Sequence, residues 1–227
     1  FGFSTSRKFI IDAMAVDLPT NKPLAISIYP KEANPLWGDL STKAVAHTLK
    51  TYSHFTFDYP YPKAVSVSAE DQGMEYPMIC WNFGRPDENG KYTDQTKYGM
   101  LGVICHEIGH NYFPMIVNSD ERQWTWMDEG LNTLNEIRYM QTKYPGNTQL
   151  SDQVLNGKFH FDHLDYHDQS DLSVLAITKF GEDQPIETKS ADYSGINYGM
   201  IMYQKTGLVF HYLKSYLGDD LFDKSMS

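Results

Sequence analysis

Cysteine is nearly absent from this chain: two residues in 227, Cys80 and Cys105. That excludes a disulfide framework as the source of stability. A single bridge between them stays open, and two buried thiols are the plainer expectation. Long apolar runs are missing too. No stretch approaches the roughly 18 residues that span a bilayer, so no membrane segment is expected. Positive charge is scarce: 19 Lys and Arg stand against 29 Asp and Glu, a formal net charge of −10. Such a balance disfavours nucleic acid and anionic lipid as partners. It suits a cationic group such as a peptide amino terminus. The nucleophile elbow G-x-S-x-G and the phosphate loop G-x-x-x-x-G-K-[ST] do not occur, and neither do internal repeats or low-complexity tracts. The chain opens on Phe1 without a signal-like segment, so a processed or truncated piece of a longer protein is expected. Exported and cytoplasmic settings both remain open.

What the chain does have is aromatic and apolar material. There are 16 Tyr and 12 Phe, and hydrophobic residues make up 41%. That is enough for a sizeable core in one large domain or two small ones. The stretches 8–17 and 23–29 read as strands separated by Pro19, Asn21 and Pro23. A helix is expected over 41–54, with Ser41 as N-cap and Ala44, Val45, Leu49 and Tyr52 on its apolar face. Strands are expected over 64–68 and 74–83, the second with Pro77 marking an edge or irregularity. Helices are expected over 96–112, 125–144 and 197–217, the last stopped by Gly218. The polar stretch 151–184 fits no element. Strands come first and helices after, which gives an α+β class.

The chemistry concentrates in Cys105-His106-Glu107-Ile108-Gly109-His110. On a helix, His106 and His110 stand one turn apart on one face. Both imidazoles can then reach one ion, while Glu107 projects beside it. This H-E-x-x-H pattern supplies two zinc ligands and a general base. Eighteen residues separate His110 from Glu129, within Trp126-Met127-Asp128-Glu129-Gly130. Glu129 can complete a ligand set of two histidines and a carboxylate that leaves one position for water. One zinc ion is therefore expected, on His106, His110 and Glu129, with Glu107 as base. Cys105 as a thiol nucleophile is a lesser alternative.

His106-Glu107-x-x-His110 with Glu129 at this spacing in W-x-D-E-G resembles the gluzincin aminopeptidases, the aminopeptidase N and leukotriene hydrolase type. Asp128 stands where that family usually has asparagine. The resemblance runs from Phe3 to Leu221. It implies a thermolysin-like catalytic domain, with a small mixed-sheet lobe over 1–92, a helical lobe over 93–227 and zinc at their junction. It implies neighbouring domains before and after it, absent from this chain. It implies a peptide substrate with a free N-terminus and hydrolysis of its first peptide bond. Glu136 would orient a histidine ligand. The family's G-x-M-E-N motif falls at Gln72-Gly73-Met74-Glu75-Tyr76, with Glu75 lying 31 residues before His106. Gln72 and Tyr76 depart from it. Gly73, Met74 and Glu75 would then bind substrate, Glu75 pairing with its α-ammonium. The family's Y-x-K-G tyrosine, an oxyanion donor, falls at Tyr203, with Thr206 between Lys205 and Gly207. Tyr198 is the alternative. An endopeptidase of the same fold and a silent zinc-binding module are the competing functions. The run His160, His163, His167, interleaved with Asp162, Asp165 and Asp168, is expected to be a solvated acidic segment rather than a second metal site.

Overall fold

The computed structural model describes residues 2–70, 73–145 and 166–226. The chain divides into two units, one up to Met115 and one from Ile116 to Ser225. The first unit is built on one sheet. Its strands are β1 (Phe9–Ala15), β2 (Leu24–Pro30), β3 (Lys63–Ser68), β4 (Met74–Tyr76) and β5 (Ile79–Asn82). They lie in the order β1-β2-β3-β5-β4. The outer pairs are antiparallel and the two inner pairs parallel, so the sheet is mixed. β3 is central and buried from Ala64 to Ser68, as expected of a strand covered on both faces.

Helix α1 (Leu36–Phe55) packs on β2 and β3, and α2 (Asp94–Gly109) packs on α1, β3 and β5. α1 begins five residues before the expected Ser41. Ser41 is buried inside the helix, and its hydroxyl donates to the Trp37 carbonyl at 2.6 Å rather than capping an end. Pro35 precedes the first turn, a position proline tolerates. Trp37, Leu36, Leu49 and Tyr52 are fully buried. Tyr52, Tyr59 and Tyr112 form a second cluster with ring centroids 5.1–5.5 Å apart. Burial pushes the Tyr59 and Tyr112 phenols well above their ordinary range. The Tyr59 hydroxyl donates to the Lys63 carbonyl at 2.9 Å, and that of Tyr112 to Leu49 at 3.2 Å.

The expected strand over 74–83 is instead a hairpin. Pro77 and Met78 turn the chain between β4 and β5, and Met78 takes a φ of 64°. Proline cannot donate to a ladder, so the apolar run breaks there. β4 lies at the sheet edge, with Glu75 opposite Cys80. Both cysteines are buried, and neither is in a disulfide.

The second unit is helical: α3 (Thr125–Lys143), α4 (Tyr166–Lys179), a single turn α5 (Gly195–Asn197), a π-helical stretch Tyr198–Lys205, α6 (Thr206–Leu217) and α7 (Asp219–Met226). α3 packs on α6 and on the π-helical stretch. The Arg138 guanidinium, held below its ordinary range by burial against the pull of Asp223, ties α3 to α7 at 2.6 Å. The expected continuous helix over 197–217 is thus interrupted, and Gly218 ends it at a φ of 82°. The division also differs from the expected lobes. The H-E-x-x-H helix belongs with the sheet, because its apolar faces are spent on α1, β3 and β5.

Candidate metal centre

Helix α2 starts at Thr93, whose hydroxyl accepts from the Thr96 N–H at 3.1 Å. Its second half is buried almost all round: Met100, Leu101, Ile104, Cys105 and Ile108 fill the core. His106, Glu107 and His110 are therefore polar groups on a buried helix, where hydrogen bonds and charges act in a low dielectric. The two imidazoles lie 4.7 Å apart by centroid, nearly perpendicular at 85°. His110 Nδ1 sits 3.0 Å from the Phe113 carbonyl. Donation of Nδ1–H to that carbonyl fixes the tautomer and leaves Nε2 as the ligand atom. Sequence reading missed this partner, since a backbone carbonyl leaves no signature among side chains.

Asn111, fully buried, was also missed. Its Oδ1 accepts the Met78 N–H at 2.7 Å, tying the β4–β5 turn to the end of α2. That hairpin carries Glu75. Glu75, Glu107 and His110 come together with their carboxylate and imidazole atoms within 4.8 Å of one another. Gly73 passes directly over Glu107. A Cβ on Gly73 would overlap Glu107 Oε1 and come 2.7 Å from Val103 Cγ2. Glycine is needed there for close backbone approach. Met74 is part-exposed on β4.

In the second unit, α3 opens on Trp126-Met127-Asp128-Glu129-Gly130 and buries Glu129. The Tyr203 hydroxyl donates to Glu129 Oε1 at 2.7 Å. Tyr198 instead sets its ring 6.2 Å from that of Tyr203. Two glycines sit where α3 and α6 approach each other closely. A Cβ on Gly130 would overlap Thr206 Cγ2, and one on Gly207 would fall 2.7 Å from Thr133 Cγ2. Each glycine thus receives the threonine methyl of the opposite helix. Glu136 is half-buried, two turns along α3.

Each unit carries its share of the expected donors, His106 and His110 in the first and Glu129 in the second, and all three are buried. Two neutral imidazoles and a carboxylate are what catalytic zinc takes, and a His110 with its second nitrogen already engaged fits that use. On α4, His167 stacks on His211 at 4.6 Å and stands 3.5 Å from Asp168, beside Asp171. His160 and His163 lie outside the described residues. No helix among the described residues is long and apolar enough to cross a membrane.

A buried H-E-x-x-H helix followed by a helix presenting a buried glutamate defines the zinc metallopeptidase class. Within it, the model of the peptidase family M1 domain matches residues 41–227, and the chain belongs to that family. It is 24% identical over 227 residues to aminopeptidase 2 of Candida albicans, covering 96% of this chain and 23% of that protein. It is 24% identical over 204 residues to mouse aminopeptidase N, covering 84% of this chain and 20% of that protein. The chain thus spans less than a quarter of the length of these relatives. Among solved structures, the M1 zinc metallopeptidase of Deinococcus radiodurans superposes with a TM-score of 0.66 at 16% identity, over 96% of this chain and 42% of that one. A variant of that enzyme bound to a Tyr-Ser-Ala substrate gives a TM-score of 0.65 at 15% identity, over 96% and 43%. The likeness to both is one of fold.

Proposed function

We propose that this chain is the catalytic domain, thermolysin-like in kind, of a zinc aminopeptidase that hydrolyses the first peptide bond of peptides with a free N-terminus. The observation that carries the reading is the gathering of Glu75, Glu107 and His110. It sets an amine anchor beside the base of an H-E-x-x-H helix. The ligands would be His106 and His110, from the last helix of the first unit, and Glu129, from the first helix of the second. Zinc, when bound, lowers the pKa of a water and polarises a carbonyl.

The side chains do the rest. Glu75, on the edge strand β4, pairs with the substrate ammonium, which sets where the scissile bond falls. The backbone at Gly73 and Met74 lies along the same edge and orients the peptide. Glu107 accepts a proton from the attacking water and passes it to the leaving amine. The Tyr203 hydroxyl donates to the oxyanion as it develops, a contact worth about 10²–10³ in rate. Tyr203 is preferred over Tyr198 because its hydroxyl reaches a proposed ligand, Glu129. Glu136 would orient a histidine ligand. A peptide substrate also agrees with the Tyr-Ser-Ala held by the solved M1 variant.

Glu107→Gln tests the mechanism. The variant should lose peptidase activity while elemental analysis still finds one zinc per chain. Retained activity would remove Glu107 from the reaction, and lost zinc would make it a ligand instead.

A further inference from the structure

Tyr203 sits in a stretch of helix that does not hold itself in place. The segment Tyr198–Lys205 is π-helical, a form that persists only where neighbours stabilise it. The Thr206 backbone N–H bonds back five residues to the Ile201 carbonyl, as the wide turn requires, and the Thr206 hydroxyl donates to the same carbonyl at 3.0 Å. Besides α3 and α4, which pack along it, three consecutive residues of one loop hold the stretch. The Asn197 amide, just before the stretch, donates to the Glu182 carbonyl at 2.9 Å and accepts from the Gln184 N–H at 3.1 Å. Lys205, at its end, meets the Asp183 carboxylate at 3.0 Å. The loop thus grips the stretch at both ends. Beside Lys205, the Gln204 side chain accepts from the Ser170 hydroxyl of α4 at 2.5 Å.

The same loop steers the ring. Tyr193 donates to the Ile186 carbonyl at 2.7 Å, and its ring stands 6.2 Å from Tyr198. Tyr198 in turn stands 6.2 Å from Tyr203, whose hydroxyl reaches Glu129. Lys205 pairs with Asp183 near the surface. Its ammonium holds the Asp183 carboxyl below its ordinary range, and both side chains are about a quarter to a third exposed, at 26% and 30%. A pair that open to solvent adds little to global stability. Its effect is local.

We propose that Lys205, through its ion pair with Asp183, is a positioning residue that holds the π-helical turn and so the Tyr203 hydroxyl beside Glu129. The proposal rests, for its kinetic consequence, on the oxyanion role given to Tyr203 above. Its structural part stands without it.

The test uses the whole chain carrying tyrosine labelled at the ring carbon, with Lys205→Met, Asp183→Asn and the charge swap Lys205→Asp with Asp183→Lys. The Tyr203 resonance, identified by its loss in Tyr203→Phe, should move in both single variants and return toward its original place in the swap. The thermal midpoint should stay put. In the zinc-loaded enzyme each single variant should lower kcat roughly 10-fold or more, up to the 10²–10³ that an oxyanion donor supplies, with KM little changed. In a Tyr203→Phe background, Lys205→Met should cost nothing further. An unmoved resonance overturns the proposal, as does an equal fold loss with and without the Tyr203 hydroxyl. A wild-type protein without peptidase activity would defeat the aminopeptidase reading, while the resonance would still decide the role of Lys205.

Discussion

Gly73 has no side chain, yet it shapes the surroundings of Glu107. The backbone there runs so close that a methyl group would displace the carboxylate. Gly73→Ala should therefore keep zinc and lose rate. A misplacement of the base on the order of 1 Å costs roughly 10²-fold in kcat. Steady-state kinetics with elemental analysis would check this, and an unchanged kcat would mean that Glu107 tolerates displacement. The histidines were legible in the sequence because their spacing alone puts them on one helix face, and Glu107 because it follows His106 within the H-E-x-x-H pattern. The reason for Gly73, the carbonyl of Phe113 and the amide of Asn111 were not. Each acts through space on a residue distant in the chain or through backbone atoms common to every residue.

Helices and strands were legible in type and less so at their ends. Buried α2 announced itself by a continuous apolar run, and α3 by its periodic face. α1 began early because Pro35 starts a helix as readily as it stops one. The strand over 74–83 split because Pro77 and Met78 form a turn. The π-helical stretch could not be read, since what packs on it and bonds to it comes from α3, α4 and the 182–184 loop, outside the segment itself. The crossing of α3 and α6 carries a sharper expectation. Gly130→Ala and Gly207→Ala each force a methyl into a threonine of the facing helix. Each should cost about 1–3 kcal/mol of stability, as overpacking does. Denaturant unfolding would measure it. Gly195→Ala, where no atom lies within 4 Å, serves as the control and should stay within about 0.5 kcal/mol. Equal behaviour of all three would show that the crossing does not depend on its glycines.

At the scale of the molecule, the family was readable from short motifs and the division of the chain was not. H-E-x-x-H, W-x-D-E-G and G-M-E are local patterns that one sequence displays by itself, even in a chain only 24% identical to its relatives. The boundary at Met115 is a property of packing: in sequence α2 looks like the opening of the helical part that follows the strands, but it is buried against the sheet. The central claim is that an acidic protein of family M1 uses Glu75 to anchor a free amine and Glu107 to drive hydrolysis next to it. The most direct measurement compares the zinc-loaded protein on one peptide with a free N-terminus and on its N-acetylated twin. The expected result is release of the first residue from the free peptide and no cleavage of the acetylated one. Equal cleavage of both would contradict the claim and make the protein an endopeptidase, and cleavage of neither would contradict it by leaving a zinc-binding fold without peptidase activity.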